Sequence, residues 1–319
     1  MYEVTLIPGD GVGPQVADVM RDVVRAVGVE IAWELPGDDL DTIVASVKRT
    51  GLALKGKILA PAPTGKMPAT VQFRKKLGVT AIVRHVRHLE GLPARAPGTD
   101  IVIVREASED IYSGFEHEST HGVFESVKVT TRAACERIAT FAFDFAVKNN
   151  RKRVTTVHKA NILKKADGMF LAVSREVAAR YPTIVHDEII VDALCMRLVR
   201  RPSDFDVLLC GNLFGDIVSD CAAGMAGGVT VACGTCYAPG VVVFENPHGT
   251  SEELVGADGA NPYPVLGMAA DLLDHLGESA AAGRIRKAVV KALVAGHHAQ
   301  DMGGTATTSE MRAAVLAGL

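Results

Sequence analysis

Three aspartates in the second half of the chain could hold a divalent cation. Asp216 and Asp220 are four residues apart in a predicted helix, so they share one face. Like charges at this spacing are unfavourable unless a cation lies between them, although a single aspartate near a helix start is also typical of capping. Asp192, on another predicted helix, is the third acid. Carboxylate oxygens suit Mg²⁺ or Mn²⁺ rather than zinc.

Arginines and a tyrosine–lysine pair supply a second kind of chemistry. Arg74, Arg84 and Arg105 could grip carboxylates in a bidentate fork, although any single arginine is more often a solvated charge. Arg105 ends an apolar strand, where α/β folds bind ligands. Tyr112 and Lys159 could transfer protons near neutral pH if the ammonium lowers the phenol pKa. Taken separately, they are typical of a packed aromatic residue and a surface charge.

The elements that must position these residues alternate between strand and helix, which favours an α/β fold with helices packed on a sheet. The loop Gly9–Gly13 between the first strand and helix resembles a dinucleotide fingerprint. Pro14 stands where the third glycine is needed, so it does not predict a Rossmann fold. The principal predicted strands are 4–7, 29–35, 58–60, 101–105, 154–158, 207–210 and 241–244, and the helices are 15–27, 39–50, 131–148, 167–180, 189–199, 216–226, 264–276 and 280–295.

Composition restricts the function classes. The 319 residues carry a formal net charge of −3, so no global positive field attracts nucleic acid or an anionic membrane. No window has the roughly eighteen apolar residues of a membrane helix, and the N-terminus shows no export signal. We therefore expect a cytoplasmic protein without nucleic-acid or membrane partners. The six cysteines are predicted to be free thiols, and the lone Cys233–Cys236 C-x-x-C is interpreted as a turn.

Several blocks in order resemble the isocitrate and isopropylmalate dehydrogenases, the β-decarboxylating dehydrogenases. They run nearly end to end, and the middle of the chain is most similar to NAD-dependent isocitrate dehydrogenase subunits. The resemblance implies a two-domain, non-Rossmann α/β fold, with a large cofactor-binding domain from residues 1–90 and 228–319 and a small dimerisation and metal-binding domain from 91–227. The matching blocks are IPGDGVGPQV, FRKKLGVTAIVRHVR, VREASEDIYSGFEHES, VTTVHKANILKKADGMF, FDVLLCGNLFGDIVSD, FENPHGT and ANPYP.

The resemblance also implies roles. The three arginines would bind the carboxylates of the malate moiety, and Asp192, Asp216 and Asp220 would hold Mg²⁺ or Mn²⁺. Tyr112 would protonate the enolate after CO₂ leaves, and Lys159 would assist deprotonation of the C2 hydroxyl. Lys159 and Asp192 would come from the partner subunit of a homodimer with shared active sites. The implied NAD site comprises His248, Gly249, Thr250, Glu253, Leu254 and Asn261, with Glu253 selecting NAD over NADP.

The segment that reads the substrate departs from the family. Pro68 and Thr70 stand where isocitrate dehydrogenases place a Ser and an Asn against the γ-carboxylate, and Met67 and Thr70 do not match isopropylmalate enzymes either. Lys66 or Thr70 could still reach a γ-anion. Isocitrate is therefore the first choice, with 3-isopropylmalate, homoisocitrate, tartrate or malate as alternatives. A non-catalytic regulatory subunit is the rival of another class, and it predicts loss of a metal, substrate or proton-transfer residue, none of which is lost. A nucleotide-binding module without chemistry leaves the aspartates and arginines unexplained.

Overall fold

The computed structural model describes residues 1–58, 67–246 and 251–319. The chain divides into two compact units. Unit 1 comprises Met1–Leu77, His88–Pro97 and Ala226–Leu319, and unit 2 comprises Gly78–Arg87 and Gly98–Met225.

The strands of the described residues follow in chain order. They are β1 (Tyr2–Ile7), β2 (Ile31–Glu34), β3 (Leu52–Lys55), β4 (Ala81–Arg87), β5 (Asp100–Glu106), β6 (Glu116–Thr120), β7 (Val123–Ser126), β8 (Arg153–His158), β9 (Val185–Ile190), β10 (Val207–Cys210), β11 (Gly234–Ala238) and β12 (Val241–Glu245).

The α-helices of the same residues are named in the same way. They are α1 (Gly13–Ala26), α2 (Leu40–Thr50), α3 (Ala69–Leu77), α4 (Arg132–Lys148), α5 (Ala166–Ala178), α6 (Val191–Arg200), α7 (Asn212–Ala226), α8 (Tyr263–His275), α9 (Ser279–Val294) and α10 (Thr308–Gly318). Within the described ranges no helix is both long enough and apolar enough to cross a bilayer.

In unit 1 the strands lie in the order β2-β1-β3-β12-β11. All neighbours are parallel except β11 and β12, which form an antiparallel pair.

The glycine-rich loop between β1 and α1 owes its composition to packing. Gly9 has φ +84, and a Cβ there would lie 2.6 Å from the carbonyl oxygen of Lys57. A Cβ on Gly56 would lie 2.0 Å from the carbonyl oxygen of Pro8. The glycines therefore let two backbone segments touch, which a side chain would prevent.

Unit 2 has the strand order β4-β5-β10-β8-β9, and β6 and β7 form a separate hairpin. The parallel centre of this sheet is apolar on both faces, as is typical of strands covered by helices on both sides. Its central strands β5 and β10 are buried almost throughout. In the parallel pairing of these strands Arg105 lies opposite Cys210, so the ends of both strands meet where α7 begins.

The predicted α/β class is confirmed, with particular differences. The helix predicted from residue 189 begins at Val191, because β9 occupies the preceding residues. Since β9 is the last strand of its order and is only partly buried, its sequence mixes polar and apolar residues. The helix predicted from residue 216 begins at Asn212. The strand predicted at 58–60 falls mainly outside the described residues. The six cysteines all lie in the described ranges and form no disulfide there, as expected.

Candidate active site

The start of α7 in unit 2 places two of the predicted metal ligands. Asp216 and Asp220 lie one turn apart and both reach solvent, with side chains 36% and 71% exposed. The start of α7 is held by a residue outside the helix. The Leu213 N–H donates at 3.1 Å to the carboxylate of Asp110, which lies 103 residues earlier in the chain. Gly215 lets Arg105 pack against the helix, since a Cβ there would lie 2.8 Å from the Arg105 stem.

Two predicted substrate arginines pair with these aspartates. The Arg105 guanidinium donates to Asp216, and its Nε and Nη2 donate to the Asn212 Oδ1 at 2.9 and 2.7 Å. Arg84, on the neighbouring antiparallel strand β4, donates to Asp220. Both arginine side chains are buried, at 3% and 8% exposure, so their charges require such partners. The sequence did not predict a role for Asn212, although its position two residues after the end of β10 could have indicated one.

Tyr112 joins the same group. It lies in a short 3₁₀ turn, Ile111–Ser113, and its hydroxyl donates to the Asp216 Oδ2 at 2.5 Å. The Arg105 guanidinium carbon lies 5.0 Å from the centre of the tyrosine ring. Burial, and then the hydrogen bond to Asp216, raises the pKa of Tyr112. The raised pKa keeps the Tyr112 phenol protonated at neutral pH.

Lys159 and Asp192 form a separate pair in unit 2. Lys159 follows the end of β8, and its Nζ donates to the Asp192 Oδ1 at 2.7 Å, in the first turn of α6. The hydrogen bond from Lys159 lowers the pKa of Asp192. The structure thus gives Tyr112 and Lys159 different aspartate partners. An adjacent ammonium was expected to lower the pKa of the Tyr112 phenol, but this pKa is raised.

The three aspartates are not gathered into one ligand set in this chain. Among the described residues no group of three His, Cys, Asp or Glu side chains could hold a metal ion. Asp216 and Asp220 are together, and Asp192 lies with Lys159. The chain therefore places Asp216 and Asp220 together and Asp192 elsewhere.

Arg74 lies on α3 in unit 1, beside the buried Lys55–Glu245 pair, which the sequence did not predict. It donates to Glu245 at the end of β12, and the other carboxylate oxygen of Glu245 lies 3.7 Å from the Lys55 Nζ. Thr70 is in the first turn of the same helix, two residues after Pro68, whose carbonyl accepts from the Val71 and Gln72 amides. Lys66 lies outside the described residues.

The predicted cofactor residues are described in part. His248, Gly249 and Thr250 lie outside the described residues. Glu253 is exposed in a 3₁₀ turn, Glu252–Leu254, and the Leu254 amide donates to the Ser251 carbonyl. Asn261 is engaged within unit 1. Its amide donates to Thr230 and Asp301, and its carbonyl accepts from the Tyr263 amide at 3.0 Å.

Comparison with known proteins defines the class. Residues 3–315 match the family model described as isocitrate/isopropylmalate dehydrogenase, and the chain belongs to that family. The chain is 36% identical to an isocitrate dehydrogenase from Methylococcus capsulatus of known crystal structure, with a TM-score of 0.93 over 100% of this chain and 99% of that one. The fold is therefore the two-domain α/β fold that the resemblance implied.

Two Arabidopsis thaliana relatives refine the comparison. The chain is 42% identical to the mitochondrial NAD isocitrate dehydrogenase regulatory subunit 1, over 99% of this chain and 89% of the relative. It is 38% identical to the mitochondrial catalytic subunit 5, over 98% and 87%. Both relatives are mitochondrial, which contradicts the cytoplasmic location expected from composition and the N-terminal residues. That expectation was wrong because neither feature is diagnostic of a compartment.

Proposed function

We propose that the protein is a catalytically active, NAD-dependent dehydrogenase that oxidises and decarboxylates a 2-hydroxy polycarboxylic acid, with isocitrate to 2-oxoglutarate as the first choice. The observation that carries the proposal is the arrangement around α7. Each of two buried arginines bonds to an aspartate there, and a protonated tyrosine donates to one of these aspartates. This reaction requires arginines that bind carboxylates, acidic side chains that bind a cation, and a proton donor.

The donors around α7 fit a hard divalent cation. Mg²⁺ and Mn²⁺ prefer oxygen ligands, and Mg²⁺ is commonly held by one or two carboxylates together with substrate oxygens. Asp216 and Asp220 would provide these two carboxylates, and Asp192 would complete the set from the partner subunit. When bound, such a cation polarises a substrate carbonyl and stabilises developing negative charge on oxygen.

The side chains of the chain carry the remaining steps. Arg84 and Arg105, with Arg74, would bind and orient the substrate carboxylates. The Lys159 Nζ would assist removal of the C2 hydroxyl proton as hydride leaves C2 for the nicotinamide. The Tyr112 Oη would deliver its proton to carbon after CO₂ departs. The raised pKa of Tyr112, caused mainly by burial, suits this role because the proton is retained until it is needed.

The cofactor proposal rests on the sequence of the loop that contains Glu253. An exposed carboxylate at this position can accept hydrogen bonds from a ribose 2′-hydroxyl and repel a 2′-phosphate, which favours NAD over NADP. His248, Gly249, Thr250, Leu254 and Asn261 would complete the NAD site.

A homodimer with shared active sites is supported by apolar surface beside the acidic residues. On α6, Asp192, Met196 and Val199 share one helical face, and the two apolar side chains are 54% and 68% exposed. The exposed β6–β7 hairpin also carries apolar side chains, since Phe124 is 68% exposed and Phe115, which precedes β6, is 62% exposed. Exposed apolar surface of this kind marks a contact site. A partner on the α6 face would bring its own chain close to Asp192.

Mixing two inactive variants tests the shared site. Lys159→Met and Asp216→Asn should each be inactive alone, because one loses the hydroxyl-deprotonating lysine and the other a cation ligand. If the site is shared, subunit exchange between them should restore activity in mixed dimers, since one of the two sites is then intact. No recovery in verified mixed dimers would contradict sharing.

A regulatory subunit of a heteromeric isocitrate dehydrogenase is the second candidate, and the identity to a regulatory relative favours it. It predicts that the purified chain alone is inactive but alters the kinetics of a catalytic partner. The intact set of Tyr112, Lys159, three arginines and three aspartates favours the catalytic proposal instead.

NADH formation by the purified chain decides between them. Isocitrate, 3-isopropylmalate, homoisocitrate, tartrate and malate should each be assayed with NAD or NADP, with and without Mn²⁺. We expect activity with NAD and Mn²⁺ that a chelator abolishes. Inactivity with the whole panel would overturn the catalytic proposal, and activity unaffected by the chelator would contradict the metal assignment.

A further inference from the structure

Lys128 in unit 2 holds a buried charge cluster that the proposed reaction does not use. Its Nζ lies 3.0 Å from the Asp167 Oδ1 and 3.6 Å from the Asp110 Oδ2, and 5.1 Å from the centre of the Phe214 ring. The lysine side chain is 21% exposed, whereas both carboxylates are 5% exposed. One ammonium is thus placed between two carboxylates that are almost completely removed from water, where unpaired charge is costly.

Asp110 connects the Tyr112 turn to α7. Its carboxylate accepts from the Ile111 amide at 2.8 Å, at the start of that turn, and from the Leu213 amide at 3.1 Å. Its backbone has φ 77 and ψ −154, a region that few residues other than glycine adopt. Backbone hydrogen bonds to Val129, the neighbour of Lys128, hold it there. Such strain persists only where surrounding contacts over-determine the conformation.

Asp167 connects the same lysine to Lys159. The Asp167 Oδ2 accepts from the Lys159 amide at 2.7 Å, and the Oδ1 faces Lys128. Lys159 lies between the end of β8 and the start of α5, so this bond fixes the backbone from which the Lys159 side chain extends.

We propose that Lys128 is a positioning residue that fixes, through Asp110 and Asp167, the backbone segments carrying Tyr112, Lys159 and Asp216. The proposal rests on the proposed function for the roles of those three residues. Removal of the ammonium leaves two buried carboxylates without their shared cation, so the bonds that each makes to backbone must loosen. Three segments then lose their fixed geometry together, and misplacement by about 1 Å can cost about 100-fold in rate.

Backbone amide exchange tests this coupling without any activity measurement. Lys128→Met should accelerate exchange of the Lys159 and Leu213 amides by about tenfold while the interior of β5 stays protected. Lys148→Met is the matched control, because it removes an exposed lysine of the same unit and should change neither amide. Unchanged exchange at both amides in folded Lys128→Met would overturn the proposal.

Asp167→Asn covers the case in which Lys128→Met does not fold. The neutral asparagine oxygen accepts a weaker hydrogen bond from the Lys159 amide than the carboxylate does, and Lys128 stays paired with Asp110. The substitution should therefore accelerate exchange at Lys159 and leave Leu213 unaffected. Equal acceleration at both amides would instead indicate general loosening and refute two separate tethers.

Kinetics then separate positioning from mere stability. In Lys128→Met, or in Asp167→Asn if the former does not fold, kcat should fall by about 10- to 100-fold with a small change in KM. The isotope effect from a C2-deuterated substrate should rise, because hydride transfer becomes rate-limiting. A loss of rate that only matches the loss of folded protein, with an unchanged isotope effect, would contradict the proposal. Wild-type inactivity with every substrate would refute the proposed function alone, since the exchange result stands independently.

Discussion

Glu245→Gln is the substitution whose effect on stability can be worked out most directly. The Glu245 carboxylate in unit 1 is 6% exposed and contacts two cations, with its Oε2 3.7 Å from the Lys55 Nζ and its Oε1 bonded to Arg74. The Lys55 side chain is 2% exposed. Glutamine keeps the shape and one acceptor oxygen but removes the negative charge that both cations contact. The variant therefore holds the buried Lys55 ammonium close to the partly buried Arg74 guanidinium without the carboxylate between them.

The structure sets the size of the loss. Opposite charges 3.7 Å apart attract by about 4 kcal/mol at an effective dielectric constant of about 20. Breaking a buried ion pair by removing one partner typically costs about 3–5 kcal/mol. Because the glutamine oxygen still accepts a hydrogen bond, we expect the lower end, about 3 kcal/mol in the free energy of unfolding. Since unfolding a chain of 319 residues gains about 0.7 kcal/mol/K of entropy, this corresponds to a fall in Tm of about 4–5 °C.

The loss should depend on pH in a defined direction. Burial lowers the pKa of Lys55, and Glu245 opposes that shift, so the pKa falls further in the variant. A lysine with a lower pKa in the folded chain than in the unfolded chain destabilises the fold while it is protonated. That cost is present at neutral pH and is relieved as pH rises toward the unfolded value of about 10.4. The stability gap between variant and wild type should therefore narrow in the alkaline range.

Urea unfolding at pH 7 and pH 9.5, followed by circular dichroism, measures this gap. Glu3→Gln is the matched control, because that side chain is 69% exposed and its ion pair contributes little. The double variant Lys55→Met, Glu245→Gln should regain much of the loss, since one buried cation is gone. A loss below about 1 kcal/mol at pH 7, or a gap that widens with pH, would refute the reasoning.

Three further predictions concern the proposed reaction. Tyr112→Phe should lower kcat by about 100-fold or more with little change in Tm, and because burial raises the Tyr112 pKa, wild-type kcat should show no loss from its ionisation below about pH 10. Mn²⁺ and isocitrate should strengthen each other's binding, as measured by titrating each ligand with and without the other. The two factors should be equal, because coupling between two ligands is reciprocal. Independent binding would contradict the proposed exchange of arginine–aspartate pairs for ligands. Glu253→Lys should lower kcat/KM with NAD and raise it with NADP, and unchanged NAD kinetics would refute the role of Glu253.

The fold could be predicted from the sequence where elements are buried and internally regular. Strand β10 and helix α4 were predicted at or within one residue of their bounds, since an apolar run and a long helix with a threonine cap are local signals. The start of α7 could not be predicted in this way. Its first turn is held by Asp110, a residue 103 positions earlier, so no local capping sequence marks it. Strand β9 was missed because an edge strand alternates too little to be distinguished from a helix start.

The sequence predicted which residues belong to the candidate site better than it predicted which of them contact one another. The spacing of Asp216 and Asp220 was sufficient to place them on one face, because helical periodicity is local. The Tyr112 contact with Asp216 is not local and was not predicted. Lys55, Lys128 and Glu245 were missed for a related reason. Each is an ordinary charged residue in the sequence, and only burial against a specific partner makes it informative.

The pairing of arginines with aspartates also connects stability to the proposed chemistry. Arg84 and Arg105 are buried, and isolated cations there would be costly, so Asp220 and Asp216 stabilise them. A cation bound to the aspartates alone would leave the arginines uncompensated, and an anion bound to the arginines alone would leave the aspartates uncompensated. When a divalent cation and a polycarboxylate bind together, the cation would pair with the aspartates and the carboxylates would pair with the arginines. No buried charge is then left unpaired. The same four side chains that hold the site together therefore favour a substrate carrying both a metal-chelating group and several carboxylates, which is the class of the proposed 2-hydroxy acid.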